Sequence, residues 1–248
     1  MTSPRDPLLY RPQQVQQLDR AAIAGGIDGF DLMRRAGRAA FRLLRRTWPQ
    51  AKRLLVLCGG GNNGGDGYVV AGMARQQGLQ VVCVALSPVE QLQGEARQAW
   101  QWALDQGLVT ATLTGDDQTR EQRLAEWLRY AELVVDSLLG IGLSGEVREP
   151  YRWLIAQVNQ SDCPVLAIDG PSGLCAETGQ ALGAAMVADL TVSFIGRKAG
   201  FYTGQARHYT GPVAFDDLGV PEAVFAQVQP ARARLLSWPA MAWQLPPL

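Results

Sequence analysis

The chain has 248 residues, enough for one large α/β domain or two small ones, and 47% of them are hydrophobic, enough for a substantial core. Lys plus Arg equals Asp plus Glu at 23 each, which removes any global electrostatic case for nucleic acid or a strongly acidic partner. The single histidine, His208, excludes a multi-histidine metal centre, and cysteines 58, 83, 163 and 175 lack the close paired spacing of zinc or redox motifs. Three of them end or interrupt apolar runs, as buried free thiols of a reducing compartment do. Residues 1–12 are polar and proline-containing without the apolar stretch of a signal peptide, and no window is long and apolar enough to span a membrane. A cytoplasmic location is expected. The basic residues between Arg34 and Arg53 have helical spacing and read as a solvated face.

In chain order, residues 13–24 place Val15, Leu18, Ala21 and Ala22 on a helical repeat, which Gly25 and Gly26 stop. Residues 28–48 repeat the pattern through Phe30, Leu32, Met33, Ala36, Ala40, Leu43 and Leu44, with Asp28 as the cap. Strands are then predicted at 53–58, 79–86, 108–112, 131–136 and 164–169, with helices at 66–77, 89–105, 118–129 and 151–159 between them. The apolar runs are short and continuous, as in strands buried on both faces. This alternation predicts an α/β fold with a doubly wound, mostly parallel sheet behind two N-terminal helices. After residue 185 the rhythm changes: 188–195 and 211–215 look like strands without an obvious helix between them, so a non-helical connection or a hairpin is expected. A short helix follows residue 220. Residues 1–235 read as one domain and 236–248 as an extended tail or junction.

Three predicted strands end in clusters of glycine with acids, amides or hydroxyls. The first, 58–67, holds six glycines with Asn62, Asn63 and Asp66 and leads into a helix, an order that lets backbone amides wrap an anion. The second is 136–146, from Asp136 and Ser137 to Gly145 and Glu146; the third is 169–174, with Asp169, Gly170, Pro171 and Ser172. In doubly wound sheets ligands bind outside the carboxyl ends of the strands, so three such ends point to one shared site. Singly, the asparagines suit left-handed turn geometry and Asp66 suits a helix cap. No phosphate-loop lysine motif is present. The ribose-binding acid of a dinucleotide fold is also missing, replaced by Leu86-Ser87-Pro88.

Gly61-Asn62-Asn63-Gly64-Gly65-Asp66-Gly67, Asp136-Ser137-Leu138-Leu139-Gly140-Ile141-Gly142-Leu143 and Asp169-Gly170-Pro171-Ser172-Gly173-Leu174 resemble the YjeF N-terminal-domain family of NAD(P)H-hydrate epimerases. Leu32-Met33-Arg34-Arg35-Ala36-Gly37 and Phe194-Ile195-Gly196-Arg197-Lys198-Ala199-Gly200 extend the resemblance over roughly residues 18–221. It implies a Rossmann-like three-layer αβα fold, a homodimer, and interconversion of the R and S hydrates of NADH and NADPH, a nucleotide-repair isomerisation. On that resemblance Asn62, Asn63, Gly64, Gly65 and Asp66, Gly140, Ile141, Gly142, Leu143, Ser144, Gly145 and Glu146, and Asp169 would contact the damaged nucleotide. Asn63, Asp136 and Ser172 would hold one potassium ion per subunit. The tail resembles the start of a junction to an ADP- or ATP-dependent dehydratase domain, fused or separate. Gly60 and Gly170 depart mildly from the family's usual residues.

Inverting a hydroxyl-bearing ring carbon beside nitrogen needs an acid for the departing hydroxyl and a base for the returning water. Asp169 is the expected acid/base and Lys198 its electrostatic or proton-transfer partner, with Asp66 a further candidate and Asp189 an outside one. Two other readings compete. A catalytically inactive nucleotide-binding scaffold of the same fold would not need Asn63, Asp136, Asp169 and Ser172 together, and an NAD-linked dehydrogenase lacks its ribose acid.

Overall fold

The computed structural model describes residues 8–230 and 233–235. A two-residue strand, β1 (Leu9–Tyr10), opens the chain, followed by helices α1 (Pro12–Ala24) and α2 (Gly29–Thr47). Proline at the first turn suits α1, because its missing N–H would have no partner there. Asp28 caps α2 as expected, its carboxylate accepting the Asp31 amide at 2.9 Å. Several of the neighbouring arginines pair locally rather than forming a binding stripe: Arg35 with Asp31, Arg42 with Asp216 and Arg53 with Glu132.

Strand β2 (Arg53–Cys58) then leads to α3 (Asn62–Gln76), β3 (Gln80–Ala85), α4 (Gly94–Asp105), β4 (Thr110–Thr112), α5 (Asp117–Tyr130), β5 (Leu133–Ser137), α6 (Tyr151–Asn159) and β6 (Val165–Ile168). Strands β7 (Leu190–Phe194) and β8 (Arg197–Lys198), helix α7 (Arg207–Thr210), β9 (Val213–Asp216) and α8 (Glu222–Phe225) complete the described elements. The main sheet is wholly parallel, in the order β4-β3-β2-β5-β6-β7-β9. The chain runs outward from β2 through β3 to β4, then crosses to β5 on the other side of β2. The switch point predicted to hold a ligand therefore lies between β2 and β5.

Continuous apolar strands follow from burial on both faces. Leu54, Val56 and Cys58 point into the cluster under α1, α2, α3 and α4, while Leu55 and Leu57 point into the one under α5 and α6. The result is the expected three-layer αβα architecture.

Three expectations needed correction. Helix α3 begins at Asn62 rather than residue 66, because Gly61 serves as its cap residue and Gly65 N–H already closes on Gly61 O at 3.1 Å. The predicted helix 89–105 divides into a 3-10 turn, Val89–Gln91, and α4, with Gly94 at φ +52° marking the break. β7 and β9 pair in parallel, so no hairpin joins them; a 3-10 turn at Ala199–Tyr202 and α7 make the crossover. A small ribbon was not anticipated: β1 pairs with β8, Tyr10 opposite Lys198. The tail at 236–248 lies outside the described residues.

Candidate functional site

The three glycine-rich strand ends do converge. They border a cavity of about 640 Å³ over the carboxyl ends of β2, β5, β6 and β7, closed on its other side by α1 and α2. The floor depends on close backbone approach after β2. The Gly59 amide donates to Ser137 O at 3.0 Å, and a Cβ on Gly59 would lie 1.8 Å from the Leu138 carbonyl oxygen. A Cβ on Gly64 would fall 2.0 Å from Gly59 O. Only glycine permits this fold-back of the loop against the start of α3. Because α3 starts at Asn62, its first free amides face the loop, an arrangement that suits an anionic group.

Beneath this floor an oxygen-rich cluster links β2, β5 and β6. The Asp136 carboxylate is fully buried at the end of β5 and accepts the Ser172 amide at 2.8 Å and the Ser172 hydroxyl at 2.5 Å. Ser172 Oγ in turn accepts the Leu139 amide at 2.9 Å, and Asn63 Nδ2 donates to Leu139 O at 3.1 Å. Burial pushes the Asp136 carboxyl up to about 6 against the opposing pull of the Ser172 and Leu138 hydrogen bonds. Asn63 Oδ1 is buried without a hydrogen-bond partner, an acceptor aimed at nothing in the protein. Buried polar atoms are normally satisfied, so this one marks a place for a cation or donor.

The second cluster lies across the cavity. Lys198 is fully buried, and its Nζ makes an ion pair with Asp169 while donating to Phe194 O at 2.9 Å. The Phe194 amide donates to Asp169 Oδ1 at 3.0 Å. Asp169 has φ +59° and Ile195 φ +62°, left-handed conformations that non-glycine residues adopt only when their surroundings hold them there. Gly196 N–H closes on Phe194 O at 2.7 Å across Ile195, a tight turn that leaves this carbonyl facing Lys198. Gly170 has φ +141°, and a Cβ there would lie 2.3 Å from Phe201 Cζ. The glycine makes room for that ring.

Asn62, Asn63, Asp66, Gly140, Ile141, Gly142, Leu143 and Asp169 line the cavity. Gly64 and Gly65 do not: Gly65 packs against Met33 of α2, and Gly64 against the loop backbone. Ser144, Gly145 and Glu146 continue the rim, Glu146 beside Gly183, outside the cavity lining. Asp66 is not a cap of α3, since the helix starts four residues before it. Asp189 stands apart: exposed beside the start of β7, it accepts the Val165 amide at 2.8 Å at the far end of the sheet. Two lining acids escaped the sequence reading, Asp19 of α1 and Glu95 of α4. A signal for Asp19 existed, because it lies on the same helical face as Val15 and Ala22, both buried.

Burial raises Asp66 well above the usual carboxylate range, reinforced by the charges of Asp169 and Asp19 and opposed by Lys198. Asp19 is raised as well, first by burial and then by Asp169 and Glu95, against Lys198 and Arg20. Among the described residues no cluster of three or more His, Cys, Asp or Glu could hold a metal, and no helix is long and apolar enough to cross a membrane.

A family model for the YjeF-related protein N-terminus matches residues 29–200. The bifunctional NAD(P)H-hydrate repair enzyme Nnr of Coxiella burnetii is 41% identical over 239 residues, covering 96% of this chain and 47% of that protein. Its namesake in Escherichia coli K12 is 42% identical over 203 residues, 81% of this chain and 37% of that protein. The NAD(P)H-hydrate epimerase of Legionella pneumophila strain Corby is 34% identical over 228 residues, 89% of this chain and 81% of that one. The chain thus spans less than half of the bifunctional relatives and most of the epimerase. A crystal structure of the yeast protein ynu0 shares the fold, with a TM-score of 0.75 at 18% identity over 88% of this chain and 92% of that one. The match over 29–200 takes in all three strand ends that border the cavity and the Asp169–Lys198 pair, and the chain belongs to the YjeF-related protein N-terminus family.

Proposed function

We propose that this chain is an NAD(P)H-hydrate epimerase, interconverting the R and S forms of hydrated NADH and NADPH. The observation that carries the reading is the buried Asp169–Lys198 pair at a cavity whose opposite wall is a helix amino terminus behind a glycine loop. The loop and the first amides of α3 suit the substrate's phosphates, which leaves the damaged ring toward Asp169. Similarity to the Legionella epimerase over 81% of its length supports the same activity. Loss of the ring hydroxyl is assisted by the neighbouring nitrogen, whose lone pair makes a double bond to the carbon. Asp169 takes the proton of the returning water, and Lys198 holds its carboxylate in place.

The donor set also fits a monovalent cation. Asn63 Oδ1 is orphaned, and Asp136, Ser172 and the Leu139 carbonyl bring further oxygens to the same spot. One carboxylate among neutral amide, hydroxyl and carbonyl oxygens is a hard donor set of low charge, which suits potassium. Asn63, Asp136 and Ser172 would hold it; bound there, it offsets phosphate charge and fixes the loops. A homodimer and a dehydratase partner, fused or separate, complete the proposal, and a cytoplasmic setting suits its free thiols.

The test supplies purified R-hydrate of NADH and follows the S form chromatographically, with and without potassium. Conversion that rises with potassium is expected; no conversion under either condition refutes the reading. Asp169→Asn is expected to lower turnover by about 10²–10⁴-fold with the fold intact.

A further inference from the structure

The Asp169 carboxylate is engaged as an acceptor, from Lys198 Nζ and from the Phe194 amide, a geometry that suits it to take a proton from water rather than to give one. Departure of the hydroxyl calls for a second group that holds a proton at neutral pH. Among the carboxyls lining the cavity, Asp19, Asp66, Glu95 and Asp169, Asp66 meets that requirement best. It is buried in the second turn of α3, and no described residue hydrogen-bonds to its carboxyl or pairs with it. It is released from the capping duty that its sequence position suggested, because Gly61 takes that place. Burial first, and then the charges of Asp169 and Asp19 against that of Lys198, favour its neutral form. Asp19 is held in turn by α1 beside Glu95, Asp169, Lys198 and Arg20.

We propose that Asp66 is the acid that protonates the departing hydroxyl and that Asp169 is the base that takes the proton of the returning water. This rests on the epimerase reading. The carbon–oxygen bond breaks with its electron pair on oxygen, the Asp66 proton makes that oxygen water, and the ring nitrogen's lone pair forms the carbon–nitrogen double bond. Water then adds to the same carbon, the nitrogen regains its lone pair, and Asp169 accepts the proton released. One turnover thus moves one proton from Asp66 to Asp169, and its return resets the pair. In the reverse direction the two roles exchange.

The experiment measures epimer interconversion against pH for the wild type, Asp66→Asn and Asp19→Asn, with far-UV circular dichroism confirming the fold of each. The wild-type rate is expected to fall on the alkaline side as Asp66 loses its proton. Asp66→Asn is expected to lose about 10²–10⁴-fold in kcat and to lack that alkaline limb. Asp19→Asn keeps the limb but moves it to lower pH, because a negative neighbour has been removed. An Asp66→Asn rate within threefold of wild type, or an alkaline limb that neither variant alters, overturns the assignment while the wild type still turns over. A wild type with no activity overturns the epimerase reading beneath it.

Discussion

Replacing Lys198 by Met tests how the site is built. Methionine nearly matches the lysine side chain in volume, so the change removes a charge and three donors without opening a large cavity. Lys198 is 0% exposed and the Asp169 side chain only 18%, so the carboxylate left behind has little water to replace its partner. Breaking a buried pair by removing one member costs about 3–5 kcal/mol, and the residual exposure of Asp169 puts this case near ~3 kcal/mol. For a protein of this size that corresponds to a fall of about 6–12 °C in Tm. Phe194 O keeps the Gly196 amide, so the loss of its bond from Lys198 adds little. The double variant Lys198→Met/Asp169→Asn removes both charges, and asparagine tolerates the left-handed backbone at 169. Urea unfolding of the single and double variants is expected to show the double recovering about 2 kcal/mol of the single's loss. A single variant within ~1 kcal/mol of wild type, or losses in the double that merely add, would refute the claim that the two charges depend on each other.

Three further outcomes are expected. Potassium chloride, compared with lithium chloride at equal ionic strength, raises Tm by about 5–11 °C at a hundredfold excess over Kd, from ~2.7 kcal/mol of linkage, and Asn63→Ala removes that rise. Gly59→Ala costs about 3 kcal/mol or more in denaturant unfolding, since its Cβ would lie 1.8 Å from Leu138 O on rigid backbone. Asp66→Asn gains stability over wild type as pH rises above the unfolded carboxyl's 3.8: the folded-state value is raised, so the wild type's advantage at low pH is lost on the way up. Thermal melts of both proteins between pH 4 and pH 8 check the sign; a difference that shrinks with pH contradicts it.

The strands were legible because both faces of the sheet are covered, which turns β2, β5 and β6 into unbroken apolar runs. Asn63, Asp136, Asp169 and Ser172 draw notice in the sequence because they lie at or a few residues beyond strand ends, where polar residues break such runs. The start of α3 was hidden by glycine: residues 64, 65 and 67 have low helical propensity, and packing of α3 between β2, α2 and α4 overrides it. Asp19 and Glu95 were hidden for the opposite reason. Acids on amphipathic helices read as solvated, and only the distant strand ends reveal which of them turn inward. The β1–β8 ribbon pairs Leu9 with Arg197 and Tyr10 with Lys198, far apart in the chain, and leaves no local mark.

The strain at Asp169 and Ile195 bears on what these residues are for. Left-handed backbone at two non-glycine positions costs on the order of 1–2 kcal/mol each, and both lie at the carboxyl ends of adjacent strands, β6 and β7. Each is held by bonds that pass through one residue: Phe194 gives its amide to Asp169 and its carbonyl to Lys198 and Gly196. Ile195 is held on the other side by Asp216 O at 3.0 Å, and Lys198 by the β8 pairing with β1. A fold selected for stability alone would place glycine at 195 and an apolar residue at 198. Keeping an isoleucine in strain and a lysine in the dark makes sense if the energy goes into fixing one carboxylate over the cavity. That is why Lys198→Met should cost stability and turnover together, whereas Asp66→Asn should lose turnover while gaining stability at neutral pH.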